Sequence, residues 1–371
     1  MSPDDAKFAS GFLDGSVFIY PVSPVSSSNS FPDPQLQIPQ SITTPLPQRL
    51  TSKPHLSTVT SLQFFPSSRV LLSAGGDFLL SILPADFPAS PPHSSTAAGT
   101  RISPVRTLRG HTRSISSTGI IALGRNILSA SLDSTLKLWD VPSGSCISSL
   151  IAHSPILSTS LGERTRELPD GEESSAITAA TGQVKDDREV PDTQSKFVFC
   201  GLQNGTFELF DLRDKASVFR SSPSSAAAGP LTSINYNDAH HLLATGSSRG
   251  VVAVYDTRFL RTESGGGGGV PVTTFRRNEA AIEDLKFVVR GVGGGSEEIG
   301  LAMATGDGLP YIADVAPEGP AVGAELVDGE CDPVRYVRVR MASAGEGERV
   351  SGRGLEVWSA ADDAIVRRYL I

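Results

Sequence analysis

Asn126-Ile-Leu-Ser-Ala-Ser-Leu-Asp133-Ser-Thr-Leu-Lys-Leu-Trp139-Asp140 is the stretch whose reading decides the fold. Apolar and polar residues alternate along Thr135–Trp139, the period of a strand with one buried face. Asn126–Ser131 is a second β-rich run. Between them lies Leu-Asp133-Ser, and an aspartate there favours a turn because its carboxylate bonds backbone two residues on. The stretch therefore predicts a hairpin of two strands closed by a tight polar turn.

The hairpin recurs. Phe197–Asp211 turns at Asn204, Leu242–Asp256 turns at Arg249, and Phe8–Tyr20 turns at Asp14. In all four copies an aromatic residue stands six positions after the turn residue. Leu71–Asp77 is the front half of a further copy, Leu301–Asp314 is a decayed one around Asp307, and Val350–Ser359 is a shorter one around Arg353. Seven copies, the best of them ending in Trp139-Asp140, resemble WD40 repeats, each of which supplies a four-stranded blade of a β-propeller. The expected fold is all-β: one seven-bladed propeller spanning 1–371.

Three stretches, 22–46, 84–102 and 162–195, read as inserts. Without them 293 residues remain, about 42 per copy, against the ~40–45 of such a blade. The first two are rich in Pro, Ser and Thr, and the third carries nine acids against four bases, so all three read as flexible loops. Stretches 22–46, 84–102 and 260–270 join third to fourth strands, and 162–195, 291–297 and 343–348 join first to second. Both classes leave a propeller on one face, so the opposite face, with short turns, is the expected partner surface. The opening residues 1–11 read as the connection from an innermost strand to a second strand. The first blade is therefore expected to be incomplete at the N-terminus, through a truncated start or a short isoform. Leu355–Ser359 and Ala364–Tyr369 read as the last two strands of the last blade.

His111, Ser131, Asp133 and Trp139 form the expected structural tetrad: a buried hydrogen-bond chain of turn aspartate, histidine, serine and indole, since a buried imidazole and indole N–H need partners. His55 with Asp77 is a partial copy, position 75 being glycine. The same residue types suggest a Ser-His-Asp triad, but their spacing is explained structurally, and no catalytic residue is assigned. Gly246-Ser-Ser248-Arg-Gly250 matches a nucleophile elbow in letters only, because a strand follows it where that motif needs a helix. Asn204-Gly-Thr206 fits a glycosylation acceptor and reads better as a turn.

The chain carries 32 Lys+Arg against 40 Asp+Glu, a net charge of −8, which lacks the basic footprint of nucleic-acid binders. Cys146, Cys200 and Cys331 are too scattered for a metal site or disulfide framework, His240-His241 lacks a nearby acid or thiol, and no cofactor motif occurs. No secretory leader or run of 18 apolar residues is present, so no membrane association is expected.

One segment resembles a narrower family. Leu108–Trp139, with Gly124-Arg125-Asn126 ahead of its Leu-Ser-Ala-Ser strand, is similar to the proteasomal ATPase-associated factors, WD40 chaperones that assemble the base of the proteasome regulatory particle. His55–Ser73 looks similar too, and the match spans about 51–150. The resemblance does not extend to that family's N-terminal domain, and the inserts depart from its pattern. The resemblance implies a monomeric, non-catalytic protein of cytoplasm and nucleus, without cofactor or metal, that holds the C-terminal domain of a proteasomal AAA+ ATPase subunit through an acidic face. Candidate contact residues on the short-turn face are Asp14, Asp77, Arg113, Asn204, Arg249 and Asp307. An alternative comes from Phe210-Asp-Leu-Arg213 and Tyr255-Asp-Thr-Arg258, which resemble the box of substrate receptors of a cullin-RING ubiquitin ligase.

Overall fold

The computed structural model describes residues 1–22, 49–88, 99–164, 186–222, 229–260, 269–292, 296–316, 319–327, 332–341 and 355–371. Its strands form seven sheets, antiparallel but for one edge pair in the first, set as blades around an axis. Blade 1 holds β1 (Lys7–Gly11), β2 (Val17–Pro21) and β3 (Leu50–Ser52). Blade 2 begins with β4 (Val59–Phe64), β5 (Val70–Gly75) and β6 (Leu79–Pro84). The chain then crosses back to blade 1 as β7 (Thr100–Arg101), parallel to β3, before returning as β8 (Arg106–Arg109) on the outer edge of blade 2. Blade 3 is β9 (Ile115–Ile121), β10 (Asn126–Ser131), β11 (Thr135–Asp140) and β12 (Ser145–Ile151). Blade 4 is β13 (Ile156–Glu163), β14 (Lys196–Leu202), β15 (Phe207–Asp211) and β16 (Ala216–Arg220). Blade 5 is β17 (Leu231–Asn237), β18 (Leu242–Ser247), β19 (Val251–Asp256) and β20 (Thr273–Arg276). Blade 6 is β21 (Ile282–Val292), β22 (Ser296–Thr305), β23 (Tyr311–Ala316) and β24 (Ala321–Glu325). Blade 7 has three strands, β25 (Val334–Met341), β26 (Leu355–Ala361) and β27 (Val366–Leu370).

Period-two patterning explains how the blades stack. In β10 every side chain is buried, because Ile127 faces blade 2 while Leu128 and Ala130 face blade 4. Six apolar clusters result, one at each junction from blades 1–2 to blades 6–7. Each fully buried Leu, Ile or Val contributes about 1.5–3 kcal/mol to holding neighbouring blades together.

Three expectations change. The seventh repeat is not centred on Arg353, which lies outside the described residues. Its hairpin is β26–β27, turning at Asp362-Asp363, so Tyr369 stands six residues after Asp363 and the repeat keeps the spacing of the others. Leu355–Ser359 is accordingly a second strand and not a third. Among the described residues no strand pairs with the inner edge of β1, the expected gap in blade 1, yet β7 gives its sheet a fourth strand. Finally, the ends of two inserts are built into the fold. Within 84–102, Ala85 is fully buried and Thr100–Arg101 is β7. Within 162–195, Gly162 and Glu163 close β13, while Pro191–Ser195 forms a short 3-10 helix ahead of β14. Within the three inserts, residues 23–46, 89–98 and 165–185 lie outside the described residues.

Candidate protein-docking face

Turns between second and third strands, and connections from an outer strand to the next blade's inner strand, open on the same face. In blade 3 they are tied together by His111. Its Nδ1 lies 2.9 Å from Asp133 Oδ2 and its Nε2 lies 2.7 Å from Ser129 Oγ. Trp139 Nε1 donates to the same Ser129 oxygen at 2.8 Å. One consistent set of protons follows: indole N–H to serine oxygen, serine O–H to Nε2, and Nδ1–H to carboxylate. Thr112 N and Thr135 Oγ1 also donate to Asp133. Burial lowers the His111 pKa and keeps the ring neutral. Burial opposes ionisation of Asp133 as well, but hydrogen bonds from Thr135, Thr112 and His111 win and hold its pKa at about 2.

The serine of this chain is Ser129, not Ser131. Antiparallel register sets Trp139 opposite Ile127 and Ser129 opposite Lys137, so the indole meets the hydroxyl one pleat along. Ser131 sits at the turn, where it accepts from Asp133 N and donates to the Arg113 carbonyl. A serine at the same place, four residues before the aspartate and not two, completes the lock of blade 2. His55 Nδ1 is 2.9 Å from Asp77 Oδ1, its Nε2 is 2.8 Å from Ser73 Oγ, and Leu56 N donates to Asp77 Oδ2. Gly75 is needed there, because a Cβ would stand 2.6 Å from both His55 Nδ1 and Asp77 Oδ1. Only the indole is absent, with Leu83 in its place opposite Leu71.

Other blades use different locks. Glu208 of blade 4 is fully buried, accepts from His153 N, and pairs with Arg220 at 2.6 Å. Glu356 of blade 7 is 1% exposed and is held by Arg340, Arg368 and Trp358 Nε1.

The six candidate contact residues all lie on the short-turn face, in unequal states. Asp14 is exposed and sits 3.7 Å from Lys53. Asp77 is 9% exposed and consumed by His55, as Asp133 is by His111, so the turn acids form no continuous acidic face. Arg113, Asn204 and Arg249 are exposed. Asn204 caps its own turn through Thr206, and Asp307 bonds Asn278 and Leu309 N. Sequence reasoning passed over Leu13, Leu56 and Phe78, which are exposed on this same face. Their signal was available: large apolar residues inside otherwise polar turns.

Ser248 lies in the turn between β18 and β19. Arg258 pairs twice with its own Asp256, whereas Arg213 reaches Asp214 and Asp211 is taken by Arg164, so the two aromatic-Asp-x-Arg boxes differ in their pairing. Among the described residues no group of His, Cys, Asp and Glu could hold a metal ion.

The comparisons agree with this geometry. The sequence profile described as "WD domain, G-beta repeat" matches residues 47–82 and 102–140, the two stretches that carry the histidine locks. U3 small nucleolar RNA-associated protein 21 of Saccharomyces cerevisiae is 49% identical over 47 residues, which is 13% of this chain. The matched part spans 5% of that relative's length. With the same lock in both matched stretches, and seven sheets closing the ring around them, the chain is a seven-bladed β-propeller carrying WD40 repeats.

Proposed function

We propose that this propeller works by binding another protein, without chemistry of its own, and that its client is the C-terminal domain of a proteasomal AAA+ ATPase subunit during assembly of the regulatory particle. The observation that carries the binding reading is the state of the Ser-His-Asp groups. Ser73 and Ser129 are fully buried and His55 and His111 nearly so, each satisfied by its neighbours, so neither serine presents a nucleophile to solvent.

The client reading is supported by Gly124-Arg125-Asn126. Gly124 takes φ +96°, and a Cβ there would lie 2.2 Å from the Phe65 ring, so the turn clamps blade 3 onto blade 2. Arg125 reaches Asp140. Asn126, fully buried, accepts from Val190 N and donates to the Arg188 carbonyl, fastening the chain that runs into β14. The triplet that carries the family resemblance is thus also a structural joint.

Calorimetric titration of the full chain with the isolated C-terminal domain of each proteasomal ATPase subunit tests the proposal. Selective binding to one is expected; absence of binding to all, from folded protein, overturns the client. The name of the yeast relative favours a second reading, a scaffold in a small nucleolar ribonucleoprotein, which co-sedimentation of the chain with such particles would support. The ligase reading requires adaptor binding that is lost on substituting Arg213 and Arg258.

A further inference from the structure

Three connections of blades 1 and 2 are stitched side by side on the short-turn face. Val59 N donates to the Phe12 carbonyl and Gly76 N to the Thr58 carbonyl, while Leu56 N donates to Asp77. The turn 12–16, the connection 53–58 and the turn 75–79 thereby form one surface. Each presents a large apolar side chain to solvent: Leu13 is 82% exposed, Leu56 91% and Phe78 41%. Soluble chains rarely gather such residues without an occupant.

Phe78 adds an independent observation. It has φ +70°, in the left-handed region that bulky residues avoid. The residue after the turn position is left-handed in every blade, and elsewhere it is Gly15, Ser134, Gly205, Gly250, Gly308 or Ala364. Only blade 2 places a large side chain there, where glycine would be relaxed. Strain that persists without improving the core points to function.

The rim of the patch fixes the partner's charge. Lys53 is 55% exposed, and Arg109, opposite Leu79 in the β6–β8 ladder, and Arg113 are exposed beside it. Asp77 and Asp133 are drawn inward to their imidazoles, leaving Asp14, which Lys53 already faces. We infer that the surface of Leu13, Leu56 and Phe78 docks an extended acidic peptide segment with bulky apolar anchors flanked by Asp or Glu. This rests on the protein-binding reading above and names the segment such a partner must present. The aliphatic pair Leu13 and Leu56 favours peptide anchors over stacked bases.

The probe is a displayed library of random dodecapeptides selected on the full chain, with hits measured by fluorescence anisotropy. Hits rich in Leu, Ile or Phe between acids are expected. Leu56→Ser and Phe78→Gly should each weaken them by about tenfold or more, as for central interface anchors. Phe78→Gly should also raise the melting temperature, which separates lost contact from lost fold. Arg109→Gln with Arg113→Gln should flatten the salt dependence of binding. Absence of enriched peptides, a basic consensus, undiminished binding by Phe78→Gly, or an oligouridylate bound in a Phe78-dependent way would each overturn the inference. An ATPase C-terminal domain that binds wild type and Phe78→Gly equally would remove the patch and leave the docking reading standing.

Discussion

The junction between blades 2 and 3 and the seam between blades 7 and 1 are built from different materials. At the first, Leu108, Ile115, Ile127 and Trp139 are at most 2% exposed, and His111 locks connection to turn. At the second, no apolar cluster forms among the described residues. Arg340 of β25 reaches Asp5 at 2.7 Å, Tyr336 donates to the Thr60 carbonyl across the gap, and the Ser10 hydroxyl is buried without a partner. Among the described residues β1 pairs only with β2, and β27 only with β26. Burial of apolar area is additive and insensitive to salt, whereas a part-exposed ion pair is worth about 0–1 kcal/mol. The same repeat thus gives a rigid arc from blade 1 to blade 7 where faces are apolar and a weaker closure where charges meet.

Breaking the strong side should have the largest effect. Trp139→Ala removes a 2% exposed indole and should cost about 3–5 kcal/mol in urea unfolding. Ser129→Ala leaves two buried partners unsatisfied and should cost about 1–3 kcal/mol, more than Ser131→Ala, which loses only turn bonds. Equal costs would contradict the assignment of Ser129.

A pH series sharpens the contrast. The His111 pKa in the folded state lies below its ordinary 6.5 because burial disfavours the cation. The stabilisation is therefore fully present above 6.5 and drains as pH falls through the lower folded value. Asp133, held at about 2, adds a second loss as pH falls below 3.8. The urea midpoint of wild type should fall between pH 7 and 5, and His111→Asn, lower throughout, should show a flatter fall. At the seam, Asp5→Asn should cost less than about 1 kcal/mol, since Asp5 and Arg340 are 48% and 33% exposed and solvent screens them.

The fold was legible in the sequence because turn-to-aromatic spacing survives where other repeat features decay: Asp133 to Trp139, Asn204 to Phe210 and Arg249 to Tyr255 each keep it. The seventh repeat was misplaced because Trp358 was the more conspicuous aromatic, although Tyr369 keeps the register from Asp363. The serine was misassigned because Ser129 and Ser131 share one face of β10, and only cross-strand register shows which of them the indole reaches. β7 escaped notice because two residues carry no periodicity. The docking surface was half visible: charged turn residues were named by position, but which carboxylates remain free depends on histidines 22 residues upstream.

Hydrogen exchange of the full chain, read strand by strand, tests the contrast most directly. β10 and β11 should exchange only through global unfolding, whereas β1 and β27 should open faster and speed up further in Asp5→Asn. Equal protection of β1, β27 and β10 would contradict a ring that closes weakly between its seventh and first blades.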